Sequence, residues 1–283
     1  MAIDQNIDAE AFQALEKSGW ESNVSEYDAA FARLTTQAAG ALLDAVRTRS
    51  GARLLDVATG PGYVAAAAVA RGASVTGLDF SAAMIARARR INPAIEFREG
   101  DAEALSFPAN SFDAVVMNFG MLHLARPESA MAEAARVLKP GGRFAFTVWD
   151  KPEQAMGFGI VLNAIHSHGN PQVDIPSGPP FFRFSDSAEC ERTLREAGLV
   201  EIRVQQLPLR WRFNLPDELF GAIFRGGVRI RAILRAQSGE AFEAIRLAAR
   251  EATSNFTRDG VIEVPMAAIL ASAVKPDRLT AVK

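Results

Sequence analysis

The sequence predicts an α/β fold in which helices cover both faces of a mostly parallel β-sheet. The main observation is that strand and helix patterns alternate over residues 53–149. Each helical pattern is long enough to cross back over a sheet, as a parallel connection requires. A second observation is a glycine turn between the first strand and the first helix. Functional groups of such a sheet gather at the carboxyl ends of its strands.

Composition and charge limit the classes of function. The chain has 283 residues, of which 49% are hydrophobic and 23% are charged, as in ordinary globular proteins. Its net charge of −2 provides no basic field for nucleic acid. The single cysteine, Cys190, excludes an internal disulfide, and the N-terminus lacks the pattern of a signal peptide. No apolar run is long enough to span a membrane, so a cytoplasmic location is expected.

The elements of the first half are predicted from local patterns. Residues 8–49 are expected to be helical, with Ser25–Asp28 resembling a capping box. A short helix near residue 103 is also considered. The strands are predicted at 53–57, 74–78, 95–98, 113–118 and 143–149, and the helices between them at 63–71, 81–90 and 127–138.

The regular alternation of strand and helix patterns ends after Asp150. A helix is predicted at about 185–197, a strand at 199–207, helices within 216–256, and strand character over 261–274 with a break at Pro265. Three parts are expected: an N-terminal helical lid (1–50), a cofactor-binding core (51–150) and a C-terminal part of the sheet (151–283). The last part carries two predicted lid insertions, at about 151–184 and 214–259.

The glycine turn favours a cofactor of the adenosine type. Leu54, Leu55 and Val57 form a short buried strand that runs directly into Gly60 and Gly62. Glycines let a ligand approach the backbone, and the following helix presents free N–H groups to an anion. The turn also fits a dinucleotide fingerprint, because Asp79 lies about 20 residues further on. An NAD-dependent oxidoreductase therefore stays open at this point.

Further motifs decide between these cofactors. They run in order as Leu54-Leu-Asp-Val-Ala-Thr-Gly-Pro-Gly62, Val75-Thr-Gly-Leu-Asp-Phe-Ser81, Gly100-Asp-Ala-Glu-Ala-Leu-Ser-Phe-Pro108, Ser111-Phe-Asp-Ala-Val-Val-Met-Asn118 and Val137-Leu-Lys-Pro-Gly-Gly142. This stretch of about 100 residues resembles the core of class I S-adenosylmethionine-dependent methyltransferases. In pattern it most resembles the branch that includes ubiquinone/menaquinone C-methyltransferases and many small-molecule N- and O-methyltransferases. One departure is Ala58, where that family more often has glycine. The resemblance implies a Rossmann-like, seven-stranded sheet.

The resemblance also assigns cofactor-binding residues. It places Asp79 on the ribose hydroxyls, Asp101 and the following amide of Ala102 on the adenine, and Asp56 near the methionine end. A carboxylate suits a vicinal diol because it accepts two O–H bonds. The other candidate cofactor-binding residues are Trp20, Tyr27, Ala58, Gly60, Gly62, Phe80, Met84, Asn118 and Phe119.

Methyl transfer is an in-line displacement that requires a held nucleophile and exclusion of water. His123, just past the fourth strand, is the candidate general base. His166 and His168 are expected at the surface, because residues two apart do not share a helical face. No convincing cluster of three acidic metal ligands is found, so no metal is predicted.

The lid insertions predict a small, apolar or aromatic acceptor. Seven aromatic residues are available to line them: Phe158, Phe181, Phe182, Trp211, Phe213, Phe220 and Phe224. A basic stretch also stands out, formed by Arg210, Arg212, Arg225, Arg229, Arg231 and Arg235. It keeps an RNA methyltransferase open as an alternative, and a non-catalytic S-adenosylmethionine-binding protein is a further one. The sequence determines neither the acceptor atom nor the oligomeric state.

Overall fold

The architecture is known from a computed structural model that describes residues 8–277. Ten strands are present in this part of the chain: β1 (Arg53–Val57), β2 (Ser74–Asp79), β3 (Glu96–Glu99), β4 (Phe112–Asn118), β5 (Leu138–Trp149), β6 (Val200–Leu207), β7 (Arg210–Phe213), β8 (Thr257–Arg258), β9 (Val261–Pro265) and β10 (Ala268–Val274). Seven of them form the main sheet in the order β3-β2-β1-β4-β5-β10-β6. Strands β1 to β5 pair in parallel, and β10 is antiparallel to both of its neighbours. This confirms the predicted seven-stranded, mostly parallel sheet.

Helices surround the sheet on both faces. The α-helices within the described residues are α1 (Ala9–Glu21), α2 (Val24–Ala30), α3 (Ala32–Thr35), α4 (Ala39–Ala45), α5 (Tyr63–Ala70), α6 (Ala82–Ile91), α7 (Pro127–Val137), α8 (Met156–His168), α9 (Ser187–Glu196), α10 (Asp217–Gly226), α11 (Arg229–Arg235) and α12 (Gly239–Ser254). Short 3-10 helices occur at Thr36–Ala38, Met121–His123 and Arg183–Ser185. Within residues 8–277, no helix combines the length and apolar character needed to cross a bilayer.

Three details differ from the sequence prediction. Helix α2 begins at Val24, so Ser25 does not cap it, and the side chain of Asn23 before it donates to the carbonyl of Gly226 instead. No helix forms near residue 103, because the Asp101 carboxylate accepts from the Glu103 amide in a turn. A small antiparallel sheet, β7-β9-β8, also forms around the second insertion; strand character was predicted for β9 but not for β7 or β8.

The central strands β1 and β4 are buried on both faces, as expected for parallel strands covered by helices. Leu54 and Val116 face the cluster with α4, α5 and α6, whereas Leu55 and Val115 face the larger cluster with α7 and the C-terminal helices. This alternation follows from the two-residue period of a strand. Strand order reverses between β1 and β4, which opens a crevice at their carboxyl ends.

Helices α1 and α2 are attached to this edge by two carboxylates. Asp28 accepts hydrogen bonds from the Tyr63 hydroxyl at 2.8 Å and from Arg87 Nε at 2.7 Å. Glu21 accepts from the first two amides of α6, those of Ala82 and Ala83. Negative charge is favoured there, because the N-terminus of a helix carries free N–H groups and the positive end of its dipole. The N-terminal segment is therefore held over the crevice.

We expect Gly62→Ala to destabilise the fold by about 2–4 kcal/mol. Gly62 has φ +83°, which disfavours a side chain, and an added Cβ would stand 2.6 Å from Cζ of Phe97. Gly198 has a similar φ of +78° but open space around it, so Gly198→Ala should cost only about 1–2 kcal/mol. Urea denaturation of both variants measures the difference. If the two variants lose the same free energy of unfolding, the ring of Phe97 moves aside without an energetic cost, and the predicted clash is contradicted.

Candidate active site

A cavity of about 460 Å³ lies at the carboxyl ends of the parallel strands. The carboxyl ends of β1 to β5, or the loops that follow them, contribute to its wall, and residues of helices α1, α2, α8 and α11 also line it. The structure brings almost all of the predicted site residues together here. Those that line the cavity are Trp20, Tyr27, Asp56, Ala58, Gly60, Asp79, Phe80, Met84, Asp101, Ala102, Asn118, Phe119 and His123.

Gly62 is the exception among these predicted residues. It does not line the cavity, and it precedes α5 with its Cα packed against the ring of Phe97. Its conformation explains the glycine, since φ is +83° and no room exists for a Cβ. The second glycine of the motif thus shapes the turn, while Gly60 is the one that borders the cavity.

Asp56 carries a buried charge without full compensation. Its Oδ2 accepts a 2.6 Å hydrogen bond from the Thr59 hydroxyl, whereas its buried Oδ1 accepts no hydrogen bond of good geometry. Burial raises the pKa of Asp56 to about 7; the hydrogen bond from Thr59 and the nearby amide of Ala65 oppose the rise, and the negative charge of Asp79 adds to it. An ammonium group of a ligand would suit this oxygen.

Asp79 lies at the end of β2 and is also buried. Its Oδ2 accepts from the Gly60 amide at 2.8 Å, and its Oδ1 accepts from the Ser81 amide at 3.0 Å. Burial raises the pKa of Asp79 to about 6, against the lowering effect of these two backbone donors. Each carboxylate oxygen has a second lone pair, so the pair can still accept two O–H bonds from a diol.

Asp101 follows β3 and has both oxygens oriented by the protein. Gln13 of α1 donates to Oδ2 at 3.0 Å, and the amide of Glu103 donates to Oδ1 at 2.8 Å. Glu103 is in turn held by Arg126, through the backbone amide and Nε. The contact with Gln13 brings helix α1 to the part of the cavity where the resemblance places adenine.

Two loops of the site hold non-glycine residues in the left-handed region. Ala58 after β1 has φ +53°, and Phe119 after β4 has φ +55°. The loops are in close contact, since a Cβ on Gly120 would stand 2.6 Å from that of Ala58. Glycine adopts this conformation more readily than alanine, so Ala58 is held there at a cost in conformational energy. Strained backbone of this kind is found at functional sites, where the surrounding structure enforces it.

Tyr27, Trp20 and Asn118 lie together on the side towards β4. The Tyr27 hydroxyl and Thr35 Oγ1 are 2.9 Å apart, and burial raises the pKa of Tyr27 to about 12. Trp20 contacts both the Tyr27 ring and the His123 ring edge-to-face. Asn118 is fixed on both ends, since it donates to the Thr35 carbonyl and accepts from Thr147 Oγ1.

An aromatic chamber extends the cavity beyond the three aspartates. Phe119 stacks on Trp149 with ring centroids 4.1 Å apart, and Trp149 contacts Phe158, which touches Phe181 and Phe182. Thus three of the seven predicted lid aromatics line the cavity. The other four, Trp211, Phe213, Phe220 and Phe224, do not line it. They pack into the core behind it, with Trp211 against Phe31 and Phe220 and Phe224 against Phe242 of α12.

His123 contacts a buried carboxylate that the sequence reading missed. Its Nδ1 lies 2.9 Å from Oε2 of Glu16, which is fully buried in α1. Trp20 Nε1 donates to the same oxygen at 3.2 Å, and Arg229 Nε donates to Oε1 at 2.9 Å. One sequence signal was available: Glu16 falls four residues after Phe12, on the apolar face of an amphipathic helix.

Most of the basic stretch has partners within the chain. Arg210 and Arg212 both pair with Glu263, and Arg225 pairs with Glu26. Arg229 is buried against Glu16 rather than exposed. These pairs reduce the positive potential that RNA binding would require. His166 and His168 are exposed, as predicted, and do not line the cavity.

Comparison with known proteins identifies the core. Residues 55–146 match the family described as "Methyltransferase domain". A demethylmenaquinone methyltransferase of Renibacterium salmoninarum is 42% identical over 111 residues, which cover 39% of this chain and 47% of that protein. The ubiquinone/menaquinone biosynthesis C-methyltransferase UbiE of Methylobacterium nodulans is 48% identical over 100 residues, covering 32% of this chain and 40% of that protein. The crystal structure of YcgJ from Bacillus subtilis aligns with a TM-score of 0.56 at 22% identity, over 86% of this chain and 99% of that chain.

Residues 55–146, at the carboxyl edge of whose sheet the cavity lies, match the methyltransferase-domain family. Over this stretch the chain is similar to demethylmenaquinone and ubiquinone/menaquinone C-methyltransferases. The chain spans about half the length of the curated relatives it matches, so these matches describe the core domain and not the whole chain. The likeness to YcgJ concerns the fold.

We expect Asp56→Asn to raise the free energy of unfolding of the ligand-free protein above that of the wild type at pH 8. This gain over the wild type should be larger at pH 8 than at pH 4 by on the order of 2–4 kcal/mol. The pKa of Asp56 is raised from 3.8 to about 7, so between these pH values the folded protein holds a proton that the unfolded chain has lost. The wild type therefore loses stability as pH rises through this window. Asparagine stays neutral and keeps an acceptor for Thr59.

Urea denaturation at pH 4, 6 and 8 measures this difference. Asp259→Asn is the control, because Asp259 is exposed and distant in sequence from the cavity loops. Its stability should follow that of the wild type at each pH. A difference between Asp56→Asn and wild type that does not change with pH would contradict the raised pKa.

Proposed function

We propose that this protein is a methyltransferase that uses S-adenosylmethionine and releases S-adenosylhomocysteine. The observation that carries the proposal is that three acidic side chains line one cavity. Asp56 lies near the end of β1, Asp79 at the end of β2 and Asp101 after β3. Their chemistry fits the three parts of this cofactor. The unpartnered oxygen of Asp56 suits the amino group, Asp79 suits the ribose diol, and Asp101 with the amide of Ala102 suits the adenine edge.

The acceptor is a small, apolar or aromatic molecule. The aromatic chamber supports this assignment, since pockets for such ligands are lined by apolar rings with few polar groups. The printed names of the relatives support it too, because demethylmenaquinone carries a quinone ring. Among residues 8–277, no group of three His, Cys, Asp or Glu side chains is arranged to hold a metal ion.

The chain's own residues would perform three tasks. When bound, S-adenosylmethionine supplies an electrophilic methyl group. The three acidic side chains and the loops at Ala58 and Phe119 orient that group, and the aromatic chamber orients the acceptor and excludes water. His123 accepts a proton from the acceptor at Nε2, since its Nδ1 is directed to Glu16.

Calorimetric titration tests the cofactor assignment. We expect micromolar binding of S-adenosylmethionine and S-adenosylhomocysteine and no binding of NAD. Asp79→Asn should weaken binding of S-adenosylhomocysteine about 10- to 100-fold, because one acceptor for the ribose hydroxyls is lost. Asp259→Asn is the matched control and should bind like the wild type. Binding of NAD alone would overturn the proposal in favour of an oxidoreductase.

Transfer of a labelled methyl group tests the acceptor class. We expect the label to appear in naphthols or in a reduced naphthoquinone and not in RNA. Binding of RNA that weakens steeply with salt, together with label in the RNA, would instead support the RNA methyltransferase. A protein that binds the cofactor but labels none of a broad set of phenols, quinols and amines would fit the non-catalytic alternative.

A further inference from the structure

Glu16 is buried behind His123 and is the only carboxylate of helix α1 with no exposed surface. It does not line the cavity, so it cannot touch an acceptor directly. His123 does line the cavity, and its side chain stands between Glu16 and the aromatic chamber. The carboxylate of Glu16, the imidazole of His123 and the aromatic chamber that would hold the acceptor therefore lie one behind another in space.

The charge state of Glu16 fixes which nitrogen of His123 carries the proton. Burial acts to raise the pKa of Glu16, but His123 and Arg229 together keep it below the ordinary value. An ionised carboxylate can only accept hydrogen bonds. The 2.9 Å contact with Nδ1 therefore requires a proton on Nδ1, which leaves Nε2 of the neutral ring free to accept a proton.

The lid holds this carboxylate in place. Arg229 at the start of α11 donates to Oε1 of Glu16 at 2.9 Å and to the carbonyl of Pro179 at 2.8 Å. Its guanidinium also lies 4.4 Å from the centre of the Phe12 ring, one turn before Glu16. The other oxygen is held by Trp20 as well as His123. Glu16 thus has little freedom to move away from the imidazole.

We propose that Glu16 is a positioning residue that holds His123 as a general base, and that the acceptor presents a neutral, acidic hydroxyl such as that of a phenol or quinol. The proposal rests on the proposed methyltransferase function and deepens it. The hydroxyl proton moves to Nε2 while the acceptor oxygen forms the new bond to the methyl carbon; where a ring carbon forms that bond instead, the hydrogen on this carbon then leaves as a proton to water and the ring regains its aromatic form. The sulfur–carbon bond breaks, and its electron pair stays on the sulfur of S-adenosylhomocysteine.

The contacts of the site favour a hydroxyl over an amine. A free amine needs no base, whereas a protonated amine would need an available carboxylate near the methyl group. Glu16 is already used by three donors and is not exposed in the cavity. The imidazole of His123 also contacts the aromatic side chains of Trp20 and Phe181. An acceptor with an aromatic ring and a single polar hydroxyl fits these walls.

The first test reads the imidazole directly by ¹⁵N NMR and requires no acceptor. The protein has three histidines, and His123→Asn identifies the signal of His123. For the neutral form of the wild-type ring we expect the proton at Nδ1 and not at Nε2. In the double variant Glu16→Met/Arg229→Met, which leaves no unpaired buried charge, this preference should be lost. A wild-type ring protonated at Nε2 would overturn the proposal.

The second test compares two acceptors of similar shape. Glu16→Gln should lower kcat for 1-naphthol about 100-fold, with the KM for S-adenosylmethionine unchanged. The same variant should lower kcat for 4-nitro-1-naphthol, which is already ionised at neutral pH, less than threefold. The double variant His166→Asn/His168→Asn is the control and should match the wild type. Equal losses for both naphthols would mean that Glu16 acts on structure alone.

Two further measurements separate this proposal from the proposed function. Thermal unfolding shows whether Glu16→Gln is folded; if it is not, the double variant Glu16→Met/Arg229→Met takes its place in the kinetic comparison. Calorimetry with S-adenosylhomocysteine shows whether the cofactor binds. Absence of binding in the wild type would refute the methyltransferase function itself. Intact binding together with an Nε2-protonated ring would refute only the role of Glu16.

Discussion

Buried negative charge at the carboxyl edge of the sheet is the constraint on which the rest of this structure depends. Asp56, Asp79 and Glu16 are all buried within one region, where an unpaired charge is costly. Glu16 is compensated from within the chain by Arg229, His123 and Trp20, and its pKa is lowered. Asp56 and Asp79 lack a cationic partner, and burial raises the pKa of both. Both of these carboxyl groups line the cavity in which we propose that the cofactor binds.

The helical segments over the site are held by polar contacts with the core and with each other. Asp28 binds Tyr63 and Arg87, Glu21 binds the N-terminus of α6, and Glu16 binds Arg229 of α11. These contacts join residues that are between 35 and 213 positions apart in the chain. The cavity is consequently enclosed by segments from three distant parts of the sequence, while its floor comes from the ends of adjacent strands.

The two halves of the cavity differ in how they select a ligand. The half near Asp79 and Asp101 uses oriented acceptors, which recognise hydroxyl and amino groups at fixed positions. The half near Phe158 and Phe181 uses rings, which exclude water and accept apolar molecules of several shapes. His123 contacts Phe181 in this second half. A fold of this class supports many acceptors, because the core is retained while the lid sets the second half.

The sequence by itself determined the parallel sheet, the glycine turn and the acidic residues at the strand ends, because these depend on local periodicity and on spacing between neighbouring elements. Tertiary structure alone decided that Glu16 meets His123 and Arg229, since that contact joins residues 107 and 213 positions apart. It also decided that Phe181 faces the cavity while Trp211 and Phe220 pack behind it. Aromatic residues at helical spacing look alike in a sequence, and only the packing of the lid against the core determines which rings remain open to a ligand.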